Sequence, residues 1–472
     1  MSEAKDMFAL LRQSADARAV DVIERLVAEA PDHQLCRINA PALATREGLD
    51  EEPMVAAFLH GARIGMFDIS WNVLCPGCGG VLDSNATLKT VQKDEYVCAL
   101  CADAYEPTLD EMVEVTFTVS PRVRKIAAHN PEQLPLSEYY RQMYWGSGVD
   151  VPDENYEAVV DDFVIDHVDL APDEKAVLSV QLPAEFIIIF EPVTHSAQFI
   201  DVKGEPTRER QTLSLTYDLE HAHNQTLEMR PGPLRLALEN RTGKRVLPSV
   251  IIASDTLHSL LHRRRPFLTA KRLLSNQTFR DLYRTDTLDV AQRLKITSLT
   301  FLFTDLRGST ELYERVGDLV AFDLVQAHFK VLHDIVAAEA GAVVKTIGDA
   351  VMATFPTPDR AIAAALRMRD AMQQLNEQHG REDLLLKIGV HEGPCIAVSL
   401  NERQDYFGQT VNIASRVQGL ATSQSIFATG AVVDDGKTAD LLLSKALTPR
   451  SQSVSLRGIE REVSVYAIPS GD

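Results

Sequence analysis

Cys75-Pro-Gly-Cys78 and Cys98-Ala-Leu-Cys101 stand nineteen residues apart, and Gly79 and Gly80 follow the first pair directly. Four thiolates carried on two tight turns make a tetrahedral Zn²⁺ site with no open position, so the chain around them has little conformational choice. Residues 72–108 are therefore expected to form a zinc ribbon, with one structural Zn²⁺ per chain held by Cys75, Cys78, Cys98 and Cys101. A redox pair or four unliganded thiols is the alternative, although a redox motif needs only one C-x-x-C. Cys36 and Cys395 are the remaining cysteines, a count that suits a reducing compartment better than a disulfide framework.

With 472 residues and 45% apolar content the chain exceeds what one core organises, so several domains are expected. Its formal charge of −20 disfavours nucleic-acid backbones and anionic membranes as partners. The start, MSEAKDMFALLRQ, lacks the basic and apolar regions of a signal peptide, and no apolar run reaches membrane-spanning length. A soluble cytoplasmic protein is expected, with neither nucleic acid nor membrane as partner.

Residues 1–71 read as a winged-helix-like module. Helices are predicted over Ala17–Ala30, with Val20, Ile23, Leu26 and Val27 on one stripe, over Ala40–Glu47, and from Asp50, which should cap Glu51-Glu52-Pro53; a wing strand follows near Gly65–Trp71. Residues 109–253 alternate apolar and polar in short runs (Val113–Val119, Ala176–Val180, Phe186–Phe190, Thr212–Thr216, Leu234–Leu238, Val246–Ile252), the pattern of a β-sandwich or barrel. Tyr139-Tyr140-Arg141-Gln142-Met143-Tyr144-Trp145-Gly146 reads as core under a long loop, with a ligand pocket as the alternative. A basic helical linker is predicted over 254–296, where His262-Arg-Arg-Arg265, Lys271-Arg272, Arg280, Arg284 and Arg293 form a solvated face in a position suited to a transmitter.

Residues 297–472 carry the chemistry. The strand Leu299–Thr304 delivers Asp305 to a helix start at Ser309 or Thr310, and that helix carries Phe322, Val325, Phe329, Leu332 and Val336 on one stripe. Val343–Phe355 then makes a hairpin with Asp349 at its tip. A helix over Arg360–Gln378 and a strand over Leu384–His391 complete βαββαβ order, the ferredoxin-like plait, in which the first and third strands are neighbours. Asp305 and Asp349 should meet at one end of the sheet and suit Mg²⁺ or Mn²⁺. Farther on, Asn412 and Arg416 are spaced i, i+4 and share a helix face. The fold class is thus α+β multidomain.

Phe303-Thr-Asp305-Leu-Arg-Gly-Ser-Thr310, Val344-Lys345-Thr-Ile-Gly-Asp349 and Asp405-Tyr-Phe-Gly-Gln-Thr-Val-Asn412-Ile-Ala-Ser-Arg416 resemble, in order and spacing, the signature segments of class III adenylate cyclases. The resemblance implies two Mg²⁺ or Mn²⁺ ions per active site on Asp305, Asp349 and the carbonyl of Leu306, and adenine read by Lys345 and Asp405. It further implies ribose orientation by Asn412, α-phosphate stabilisation by Arg416, and triphosphate contact by Arg457, with Arg403 a weaker candidate. The implied reaction converts ATP to 3′,5′-cyclic AMP and pyrophosphate in a homodimer with shared sites. A guanylate cyclase, which Lys345 and Asp405 argue against, and a catalytically silent nucleotide-binding signalling protein are the alternatives. A DNA-binding regulator built on the N-terminal modules is a third. The region before Ser254 resembles the uncharacterised domain that precedes some bacterial cyclases, which implies an unknown regulatory ligand or protein.

Overall fold

The structure is a computed structural model that describes residues 2–91, 94–218, 226–283, 294–380, 384–400, 403–422, 425–459 and 461–469. Arg284 and Arg293 of the basic linker lie outside those residues, as do the side chains of Ser309 and Thr310. The chain forms two compact units, one of residues 1–107 with 111–268 and the other of residues 108–110 with 269–472. Among the described residues no helix is long and apolar enough to cross a membrane.

In the first unit the helix Ala17–Glu29 buries Val20, Ile23, Leu26 and Val27, the stripe set by their spacing, and Asp16 caps it by accepting from the Ala19 amide. Asn39 caps Ala40–Arg46 through the Ala42 amide. Asp50 occupies the N-cap position of Glu51–Arg63 but makes no side-chain cap hydrogen bond, contrary to the sequence reading. Where a wing strand was expected, Phe67–Leu74 forms the middle strand of a three-stranded antiparallel sheet between Val81–Asn85 and Val113–Val119. Val113–Val119 therefore pairs here rather than in the sandwich. Its alternation fits either sheet; a buried polar knot decides, because Asn72 donates to Glu114 and Thr116 directly across the strand pair.

Tyr96–Cys98 and Asp103–Tyr105 pair as a small antiparallel sheet of their own, and, among the described residues, the other eight strands of this unit make two facing sheets. One orders Leu227–Met229, Ser196–Val202, Phe186–Glu191, Ser249–Ile252 and Val164–His167; the other orders Gln211–Tyr217, Gly232–Asn240 and Lys175–Leu182. Ile187, Ile189 and Ile200 of the first meet Val180, Leu215 and Leu236 of the second in one core. Ile188, Phe190 and Phe199 point the other way, into a second core that receives Tyr140, Tyr144 and Trp145. Tyr140, Tyr144 and Trp145 of the aromatic run are thus core, while Arg141, Trp145 and Gly146 also line a cavity; Tyr144 meets Phe190 edge-on with centroids 5.1 Å apart. Ser196–Val202 escaped the sequence reading because burial on both faces erases its alternation.

Among the described residues the basic linker is three short helices, Asp255–His262, Ala270–Leu274 and Gln277–Leu282, with Pro266 between the first two. His262, Arg263, Arg264 and Arg265 are exposed, as expected of a solvated face, while Lys271, Arg272 and Arg280 are partly buried. Arg264 donates to the Gly77 carbonyl, Arg265 to that of Ser147, and Arg280 to those of Val344 and Gln404.

The sheet of the second unit orders Ala342–Ile347, Ala350–Phe355, Leu294–Leu306, Leu386–Leu400, Ser425–Thr429, Val463–Pro469 and Arg450–Val454, with Arg403–Phe407 paired to Leu386–Leu400. Its first four strands with the helices Asp318–Ala338 and Pro358–Gln378 form the plait expected from βαββαβ order, and the first strand lies between the third and fourth. The two helices bury Leu324, Leu332, Ile362 and Leu366 against Leu302, Val351 and Val390. Phe322 was expected on that stripe but is 52% exposed. Ala321, Leu324 and His328 take the buried positions instead.

Candidate active site

The strand Leu294–Leu306 ends by placing Asp305 beside the hairpin tip, because its neighbour Thr304 is registered opposite Val351. Asp349 sits in the turn between the hairpin strands, next to Gly348, whose φ of +64° the tight reversal requires. Asp305 is held above the usual carboxylate range by burial and then by the charge of Asp349, with Lys387 and Gln418 opposing. Asp349 Oδ2 is buried and has no hydrogen-bond partner among the described residues. Two mutually repelling carboxylates, one with an orphaned oxygen, could serve as donors to a hard divalent cation. Leu306 is 2% exposed and paired with Leu386 in the sheet.

Lys345 and Asp405 come from different strands and meet. The Lys345 ammonium lies 2.6 Å from Asp405 Oδ2, and Asp405 Oδ1 accepts from the Tyr406 amide. The Asp405 side chain is 9% exposed, that of Lys345 42%. One fixed acceptor and one reachable donor side by side can read a heterocycle edge that offers the complementary pair.

Asn412 and Arg416 lie on the helix Gln409–Leu420, Asn412 exposed and Arg416 partly buried. The helix lies close on the sheet because Gly389 has no side chain; a Cβ there would come within 2.1 Å of the Gln418 amide nitrogen. Arg416 reaches the Arg457-Gly458 turn, where a Cβ on Gly458 would be 3.5 Å from its Nη2. Arg457 is exposed on that turn, and Leu456 and Ile459 beside it pack under Ile413 and Val417 of the helix. The structure thus brings together Asp305 with Asp349, Lys345 with Asp405, and Arg416 with the Arg457 turn. Arg403 is exposed one residue from Gln404, whose carbonyl Arg280 holds.

Residues 291–470 match the family described as "Adenylate and Guanylate cyclase catalytic domain", and residues 1–281 match a family of unknown function, DUF5939. The chain belongs to the DUF5939 family and carries a nucleotidyl cyclase catalytic domain. The cyclase domain is similar to an adenylate cyclase of Anabaena cylindrica, 27% identical over 185 residues that cover 36% of each chain. It is also similar to adenylate cyclase 2 of Rhizobium meliloti, 35% identical over 132 residues, 25% of this chain and 36% of that one. The match thus spans about a third of the length of these curated relatives. Among solved structures, the adenylyl cyclase CyaB from P. aeruginosa aligns over 38% of this chain and 97% of its own, with 24% identity and a TM-score of 0.33. The guanylate cyclase domain of RhGC from Catenaria anguillulae aligns over 38% and 99%, with 20% identity and a TM-score of 0.33.

Sequence reasoning missed three contributors to this cyclase domain. Arg280 bonds the carbonyls of Val344 and Gln404, at 3.3 and 3.0 Å, each one residue from a member of the Lys345–Asp405 pair. Gln277 accepts from the Val343 amide, and the Tyr406 hydroxyl donates to the Leu274 carbonyl. Arg280 was visible only as one charge in a basic run, since nothing in that run distinguishes a cation that docks on carbonyls from one in water.

Proposed function

We propose that the chain is an adenylate cyclase that converts ATP to 3′,5′-cyclic AMP and pyrophosphate. The observation that carries this reading is the Lys345–Asp405 pair at 2.6 Å. Adenine presents a ring-nitrogen acceptor beside an exocyclic amine donor, the complement of an ammonium beside a carboxylate. Guanine reverses that order, and a carboxylate facing its carbonyl oxygen would be repelled.

The reaction joins the ribose 3′-oxygen to the α-phosphorus and breaks the bond from that phosphorus to the bridging oxygen. Pyrophosphate leaves with the bonding electrons, and the 3′-hydroxyl proton passes to water. Asn412 orients the ribose, so that attack is in line with the departing oxygen. Arg416 stabilises charge developing on the α-phosphate, and Arg457 meets the triphosphate. Asp305, Asp349 and the Leu306 carbonyl would hold two divalent ions, Mg²⁺ or Mn²⁺, which supply charge neutralisation and a lowered 3′-hydroxyl pKa when bound.

The site is assembled, in this reading, from two copies of the chain. Ile347, two residues from Asp349, and Phe407, two residues from Asp405, are 53% and 52% exposed. Large apolar side chains left in water beside a functional site fit a surface that another protein covers. In a two-fold dimer the carboxylates of one copy face Lys345, Asp405, Asn412 and Arg416 of the other, and symmetry makes two equivalent sites.

The ribbon cysteines are assigned to one structural Zn²⁺. All four sulfurs lie within 4.8 Å of one another, with Cys75–Cys101 and Cys78–Cys98 each at 3.6 Å. Four thiol donors gathered this closely fit a closed tetrahedral site. A cytoplasmic, reducing location suits thiols kept for metal.

Product identity tests the activity. Purified chain given ATP or GTP with Mn²⁺ should yield cyclic AMP in large excess over cyclic GMP. A preference for cyclic GMP, or no cyclic nucleotide from a dimeric preparation, would overturn it.

A further inference from the structure

The cyclase reading leaves one feature of the N-terminal unit unused. A cavity of about 460 Å³ opens there between the helix Ala40–Arg46, the segment from Trp145 to Asp153, and Arg265-Pro266. That volume falls in the range of sites for small organic ligands. Leu26, Leu43, Val149 and the ring of Trp145 supply apolar wall.

The charge of the lining runs against that of the molecule. Arg37, Arg46, Arg141 and Arg265 line the cavity against the carboxylates Glu51 and Asp153, in a chain of net charge −20. Two of these cations are already engaged. Arg141 lies 3.7 and 3.6 Å from Glu138 and Asp153 and donates to the carbonyls of Pro152 and Asp153, while Arg46 lies 3.4 Å from Glu47. The other two are less closely paired, although the charge of Arg37 also acts on the buried Glu114. Arg265 donates to the Ser147 carbonyl and comes no nearer than 3.8 Å to Asp150. Arg37 donates to the Met143 carbonyl and has no ion pair among the described residues.

Arg37 is also held in an unusual backbone conformation. Its φ is +50°, a region that side chains with a Cβ rarely adopt. Neighbouring bonds enforce it. The Arg37 amide donates to Thr118 Oγ1 at 3.1 Å, and Ile38 exchanges main-chain hydrogen bonds with Phe117 at 2.7 and 3.3 Å. Such over-determined strain concentrates where a side chain must be presented to a ligand.

We propose that this cavity is a binding site for a small organic anion, a carboxylate- or phosphate-bearing molecule with an apolar body, gripped by the guanidinium groups of Arg37 and Arg265 against Trp145. The planar fork of arginine matches both head groups. The inference is independent of the cyclase assignment.

Trp145 is a built-in reporter, since the chain has only one other tryptophan, Trp71. The full chain is titrated with 4-nitrobenzoate and 4-nitrophenyl phosphate, nitroaromatic anions that quench indole emission, and with neutral 4-nitrobenzamide as control. At least one anion should quench saturably below about 10 mM while the amide does not, and comparison of the two anions identifies the head group. Trp145→Phe should remove the saturable component. Arg37→Gln should weaken it about tenfold or more with the far-ultraviolet spectrum unchanged. If Arg37→Gln fails to fold, Arg265→Gln gives the same comparison. Non-saturating quenching by all three probes, or saturable quenching that survives Trp145→Phe or a folded arginine variant, overturns the proposal.

Discussion

At the scale of single residues, the fold leaves charge unbalanced where catalysis needs it. Asp349 keeps a buried oxygen without a partner among the described residues, and its charge helps raise the Asp305 carboxyl. Removing either group should leave the fold intact and end turnover, because one carboxylate cannot hold two cations against triphosphate repulsion. Asp305→Ala and Asp349→Ala are therefore expected to lose at least about a thousandfold in cyclic AMP formation while retaining their melting temperatures. Activity near wild type in either variant would remove the site assignment. The base-reading pair makes a separate prediction. Lys345→Glu combined with Asp405→Cys should lower kcat/KM for ATP and admit GTP, measured as the ratio of the two cyclic products. An unchanged ratio would contradict the assignment of that pair.

At the scale of elements, legibility followed periodicity and chemistry. The plait was readable because its helices and hairpin kept clear apolar spacing, and because Asp305, Lys345 and Asp349 sit at strand ends and turns, where carboxylates and ammonium groups are seldom used for packing. The paired strands Phe67–Leu74 and Val113–Val119 were separated by the sequence reading, since alternation fixes a strand's face but not its partner. Docked cations were equally hidden. Arg280 reads in sequence as a solvated charge, yet it ties the strand of Lys345 to the strand of Asp405 through two carbonyls. Arg280→Gln is accordingly expected to raise KM for ATP by about tenfold, the scale of one lost charge-assisted hydrogen bond, with a smaller effect on kcat. Steady-state kinetics in which kcat alone falls would contradict that role. For the ribbon, freshly purified chain should contain one zinc per polypeptide. Loss of the zinc should destabilise the N-terminal unit, and a fragment that begins at Thr269, where the second unit resumes and which lacks the four cysteines, should keep cyclase activity when supplied with Mg²⁺ or Mn²⁺. Metal analysis that finds no zinc would remove this assignment.

At the scale of the whole molecule, the central claim is that ATP is cyclised at sites shared by two copies of the chain. Mixing decides it. Asp349→Ala and Asn412→Ala homodimers should each be inactive, and after subunit exchange a mixed dimer has one site with both lesions and one with neither. Random exchange makes about half the dimers mixed, each with one intact site of two, so activity should recover to roughly a quarter of wild type. Mixing Asp305→Ala with Asp349→Ala should recover nothing, because every site then lacks a metal ligand. Failure of the first mixture to recover cyclic AMP formation, with subunit exchange verified directly, would contradict the account.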